Sequence, residues 1–107
     1  MGEHDFDAAL DAAGLEWIRY RFNTQGGNVT HFTVQYETTI DDRRVPVVRY
    51  DNAHGFAHRD LMNRRGEVVS KMGLPEYVTA GKALQIGKQD IQENWQRYRE
   101  RFLGGER

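Results

Sequence analysis

Residues 49–60 read Arg49-Tyr50-Asp51-Asn52-Ala53-His54-Gly55-Phe56-Ala57-His58-Arg59-Asp60. Two of the chain's four histidines fall here, with two Asp, two Arg, one Asn and one Tyr. A connection between two strands needs turn residues, not two imidazoles and two guanidinium groups. This density of titratable groups marks the stretch as the candidate working part of the chain.

On a straight strand, His54 and His58 would share a face but sit about 13 Å apart, too far to act on one group. On a helical turn they would approach to roughly 6 Å. Gly55, after an Asp51-Asn52 pair suited to an Asx turn, favours a bent path and convergence. Two imidazoles that meet can divide a proton-transfer task near neutral pH. Arg49 and Arg59 flank them and can grip a phosphate with two parallel bonds.

That combination suits metal-independent cleavage of RNA. One imidazole would deprotonate a ribose 2′-hydroxyl and the other protonate the leaving oxygen, while the arginines offset the charge building on phosphorus. His54, His58, Arg49, Asp51 and Arg59 are therefore the expected catalytic residues. Tyr50, Asn52, Arg19, Arg21 and Lys71 are the expected substrate contacts. The competing chemistry is a metal site built from Asp51, His54, His58 and Asp60. It ranks second because nearby arginines oppose a cation and the spacing matches no known ligand signature. Each residue also has a bland reading: an imidazole bonded to a carbonyl, or Arg59 paired with Asp51 or Asp60. No cofactor is expected, since Gly26-Gly27 lacks the Lys-Ser/Thr of a phosphate-binding loop.

Composition narrows the classes further. The 107 residues suffice for one domain, residues 1–107, with a real core. No cysteine is present, which rules out a disulfide, a thiolate nucleophile or a zinc–thiolate centre. No apolar run reaches the roughly 18 residues of a membrane span, and the acidic start lacks a signal-peptide pattern. A cytoplasmic protein with no membrane partner is expected. The net charge of −1 conceals an asymmetry. Residues 1–16 carry five acids and no base, whereas residues 43–71 carry seven bases against three acids. A basic middle on a near-neutral chain suits a local anion site, over which the acidic start is able to lie.

The elements that must hold these residues follow from periodicity. Phe6, Ala9, Leu10 and Ala13 share a helical face, which predicts a short helix over 5–13 capped by Asp5 and stopped by Gly14. Residues 17–22 and 29–40 alternate as strands around a turn at 23–28. Alternation puts Trp17, Arg19, Arg21, His31 and Gln35 on one face. A third strand spans 44–50, where Pro46 demands an edge position or a bulge. A hairpin covers 59–72, with Gly66 at its turn. Thr79 caps a long helix carrying Ala80, Leu84, Gly87, Ile91, Trp95, Tyr98 and Phe102 as one stripe, ending at Gly104-Gly105. The predicted class is α+β: a four- or five-stranded antiparallel β-meander, the long C-terminal helix across one face and the short N-terminal helix at an edge.

Arg49-Tyr50-Asp51-Asn52, a short gap and then His58-Arg59-Asp60, within a β-rich body and a terminal helix, resembles the TumE-type toxins of two-gene toxin–antitoxin modules. The likeness spans residues 15–103 loosely, and its specific part is about a dozen residues. Where those toxins close with His-Arg-His, this chain has His58-Arg59-Asp60. The resemblance implies a cytoplasmic toxin neutralised by a cognate antitoxin protein, with the Arg-Tyr-Asp-Asn and His positions as its active site. RNA is the expected substrate, self-association into a homodimer is an open option, and a non-catalytic protein- or nucleic-acid-binding module is the alternative reading.

Overall fold

A computed structural model describes residues 2–104 of the chain. Six strands precede one helix: β1 (Gly2–Ala9), β2 (Glu16–Gln25), β3 (Asn28–Ile40), β4 (Arg43–Asp51), β5 (His58–Met62), β6 (Val68–Gly73) and α1 (Ala80–Leu103). The strands form one antiparallel sheet in the order β1-β2-β3-β4-β5-β6, so every connection is a simple return. The class is α+β, as the periodicity predicts.

The turns explain the meander. Asp41 and Asp42 both adopt positive φ (51° and 64°) between the paired residues Ile40 and Arg43, the backbone of a two-residue type I′ hairpin. Gly26 and Gly27 do the same between Gln25 and Asn28 (φ 59° and 82°). At the last hairpin Gly66 takes φ 84°, and the Asn63 side chain accepts the amides of Arg65 and Glu67.

The predicted N-terminal helix is a strand. Three aspartates and nine residues make an isolated helix marginal, and pairing with β2 offers more. Asp5 lies opposite Arg21 and Asp7 opposite Arg19. On the alternate side the His4 ring stacks on Phe22 at 4.6 Å, and Phe6 lies 5.6 Å from Tyr20. Asp11 then closes the turn by accepting the amides of Leu15 and Glu16. This strand raises the count from four or five to six. Pro46 sits in an interior strand, not at an edge, and the sheet accommodates it with a bulge: Tyr36 pairs with Val48 and Glu37 with Pro46, leaving Val47 as the extra residue.

Helix α1 lies across β2, β3 and β4 on one face. Thr79 caps it by accepting the Lys82 amide at 3.2 Å, and Gly104 ends it; Gly105 lies outside the described residues. Ala83, Leu84, Ile91 and Phe102 meet Ile18, Phe32, Val34, Tyr36, Val48 and Tyr50 of the sheet. Each large apolar side chain buried this way contributes roughly 1.5–3 kcal/mol. Gly87 permits the contact to be close, since a β-carbon there would stand 2.8 Å from Cγ of Tyr50. Among the described residues no helix is long and apolar enough to cross a membrane.

Candidate functional site

Register and alternation decide where each functional side chain goes. Val34 pairs with Tyr50 and Tyr36 with Val48, and all four are buried under α1. The intervening Gln35, Arg49 and Asp51 must therefore leave by the other face. On β5, Arg59 pairs with Tyr50 and stays beneath the helix, while His58 (opposite Asp51) and Asp60 (opposite Arg49) join the open face.

The stretch 49–60 is thus divided between two faces. Beneath the helix, Tyr50 and Tyr98 both donate to Oδ2 of Asp90 at 2.6 Å, and Asn94 donates to its Oδ1 at 2.7 Å. Arg59 donates to the Tyr98 hydroxyl at 3.2 Å, while its buried Nε has no hydrogen-bond partner. Burial first, and the Asp90 carboxylate second, push the Tyr50 and Tyr98 hydroxyls above the usual tyrosine range. Tyr50 and Arg59 are consequently helix–sheet fasteners, not members of an open catalytic pocket. Asn52 is also engaged: its amide accepts the Phe32 N–H and donates to the Thr30 carbonyl, tying the end of β4 to β3.

The two histidines part as well. Gly55 does bend the chain, with φ 117°, but His54 stays exposed in the connection and makes no side-chain hydrogen bond or ion pair among the described residues. His58 is 9% exposed, and its Nε2 faces Asp51 Oδ1 at 3.2 Å and Asp60 Oδ2 at 3.6 Å. No ring contact joins the two imidazoles. The expected His54–His58 pair is replaced by a His58–carboxylate cluster because β5 begins at His58 and pins it beside its register partner.

The open face gathers what remains. Arg19 and Arg21 of β2, Thr33 and Gln35 of β3, and Arg49 of β4 line one pocket of about 240 Å³. Arg49 donates through Nε to Gln35 at 2.7 Å and forms no ion pair among the described residues, which leaves its terminal nitrogens for a ligand. Arg19 and Arg21 make long contacts to Asp5, 3.6 and 3.4 Å. A second pocket of about 200 Å³ shares Arg21 and Thr33 and continues past Asn23, His31, Asn52 and Ala53. On β5 and β6, across β4 from this basic pocket, Lys71 contacts Asp60 at 2.8 Å beside Asp51 and His58.

Gln35 and the β2 arginines are visible in the sequence as one face of alternating strands. Asp90 and Tyr98 are not, because the helical stripe shows Tyr98 only as an apolar position and gives no sign that its hydroxyl would need a buried acceptor.

Neither the curated proteins nor the solved structures that were compared yield a match to this chain. One family does match, and over the whole length: the chain belongs to DUF7718, described as a domain of unknown function, which covers residues 1–107.

Proposed function

We propose that the open face is a binding surface for single-stranded RNA, and that the protein cleaves bound RNA at the Asp51–His58–Asp60 end of that surface. The observation that carries this reading is the shared pocket of Arg19, Arg21 and Arg49, three guanidinium groups with Thr33 and Gln35 and no acid in the lining. Guanidinium groups match phosphate with paired donors, and a run of them along a sheet follows a nucleic-acid backbone. The adjoining pocket offers His31, Asn23 and Asn52, a ring and two amides of the kind that hold unstacked bases. The catalytic end supplies an imidazole and two carboxylates in place of an imidazole pair. The TumE-type resemblance adds a biological setting: a cytoplasmic toxin, neutralised by an antitoxin protein that would cover this face.

The test is fluorescence anisotropy with a single-stranded RNA oligonucleotide over a series of salt concentrations. Arg49→Ala should weaken binding about tenfold and lower the slope of log affinity on log salt by about 0.7, the share of one phosphate contact. The same RNA, incubated with wild-type protein, should be cut. Wild-type protein that leaves RNA unbound at low salt overturns the reading, and binding without cutting selects the non-catalytic module instead.

A further inference from the structure

Asp51, His58 and Asp60 come from one β-ladder. His58 is the register partner of Asp51, and Asp60 stands two residues along β5, on the same face. Their candidate ligand atoms all lie within 4.8 Å of one another. The side chains are 14%, 11% and 7% exposed, so the cluster is set into the face and not scattered over it.

The separations have a specific meaning. Two ligand atoms each about 2.1 Å from one ion stand about 3.0 Å apart at a right angle and about 3.4 Å apart at the tetrahedral angle. Nε2 of His58 lies 3.2 Å from the Asp51 oxygen and 3.6 Å from the Asp60 oxygen. These are close to the edge lengths of such a polyhedron. Moreover, both carboxylates address the same ring nitrogen, the atom that would carry the metal.

Lys71 first looks like an objection, since it already supplies a cation. Its contact is with Oδ1 of Asp60, however, whereas His58 faces Oδ2. The two oxygens have separate partners. Lys71 fixes the carboxylate from behind and offsets part of its charge, the role that outer partners play around metal ligands. Asp51 is held differently: the Oδ1 that faces His58 also accepts the Ala53 amide at 3.3 Å, which orients that oxygen and leaves it a second lone pair. His54 contributes nothing to the set.

We infer that Asp51, His58 and Asp60 form a three-ligand site for a first-row divalent cation such as Mn²⁺. One imidazole nitrogen with two carboxylate oxygens suits a first-row divalent ion, Mn²⁺ included, better than Ca²⁺, which prefers oxygen alone. Three protein ligands leave coordination positions for water or for a phosphate oxygen. Arg49, opposite Asp60 in the ladder, places the arginine pocket alongside. The role of the ion in RNA cleavage, polarising a phosphoryl oxygen, rests on the function proposed above; the binding of the ion does not.

The experiment is isothermal titration of metal-free protein with MnCl₂, paired with melting curves at rising Mn²⁺. Wild type should take up one ion per chain and melt at a higher temperature as the ion binds. His58→Gln and Asp60→Asn should each weaken binding at least tenfold. Should either variant fail to fold by circular dichroism, Asp51→Asn, the most exposed of the three positions, decides with the same tenfold criterion. Wild-type protein that shows no saturable uptake, or folded variants that bind Mn²⁺ as wild type does, would overturn the site. RNA anisotropy in EDTA reports separately on the arginine pocket, so failure of one proposal is distinguishable from failure of the other.

Discussion

The two faces of the sheet use the same twelve residues for opposite ends. Tyr50 and Arg59 go beneath α1, where hydroxyls meet Asp90 and the Tyr50 ring lies on Gly87. Arg49, Asp51, His58 and Asp60 go to the other face, where the groups are held by one or two contacts and retain bonding capacity. Residue type does not separate the sets, since each holds an arginine. What separates them is the parity of strand position and the presence of a helix on one side only. A buried polar group must be satisfied within the protein, whereas a group at an open pocket is able to hold a ligand.

The helix-covered face is the more vulnerable of the two in alkali. Tyr50, and Tyr36 with its hydroxyl on Glu16 at 2.5 Å, are buried and held neutral, their ionisation raised above the ordinary range by burial first and by the carboxylate second. The folded-state value exceeds the unfolded one, so the stabilisation is complete below the unfolded value and is lost as pH rises above it. Each tyrosine should cost about 1.4 kcal/mol per pH unit above about pH 10. By pH 12 the two together approach roughly 5 kcal/mol, comparable with the whole stability of a small domain. Unfolding should rise together with the tyrosinate absorbance that exceeds the contribution of Tyr77, which is 86% exposed, and of the partly buried Tyr20. Absorbance of more than those two side chains well before unfolding would show that the helix face is not closed.

Asp90→Ala tests the same face through one residue. Two tyrosine hydroxyls and the Asn94 amide lose their acceptor, and urea denaturation should register a loss of about 2–4 kcal/mol. RNA affinity should stay near wild type. Arg49→Ala should give the reverse pattern, with stability within about 0.5 kcal/mol of wild type and RNA affinity lower by about tenfold. A variant that moved both readouts equally would mean that the faces are coupled.

The extent to which the sequence predicts this arrangement follows the same division. Strand alternation over 29–40, the Thr79 cap, the helical stripe and the Pro46 bulge are local signals, and the structure bears them out. Residues 5–13 mislead because apolar residues at 6, 9, 10 and 13 satisfy a helical period, while His4, Phe6 and Ala8 satisfy a strand period equally well. Only the partner decides, and the charge match of Asp5 and Asp7 with Arg21 and Arg19 belongs to the pairing rather than to either segment. The site was half legible for a related reason. Chemical density points to 49–60 as the candidate site, but proximity in sequence groups residues whose side chains point apart on a strand. Applied to Arg49 and Arg59, alternation from the secure strand at 29–40 would have sent them to opposite faces only if the length of the 52–57 connection were known. A loop carries no register of its own.

Asp5 offers the finest probe of the open face. Its Oδ2 lies 3.6 Å from Arg19 and 3.4 Å from Arg21, and its side chain is 55% exposed. Such pairs contribute little to stability because water screens them and long side chains resist ordering. They still occupy two of the three guanidinium groups of the pocket, from a strand at the sheet edge. A ligand phosphate therefore competes with a resident carboxylate, and its net gain is smaller than three arginines would suggest. Asp5→Asn keeps the size and removes the charge. RNA affinity should rise about two- to fivefold at low salt, equivalent to roughly 0.4–1 kcal/mol, with the gain shrinking as salt increases. Stability should change by less than about 0.5 kcal/mol. Unchanged affinity at low salt would mean that Arg19 and Arg21 do not touch the ligand, and would confine the phosphate contact to Arg49.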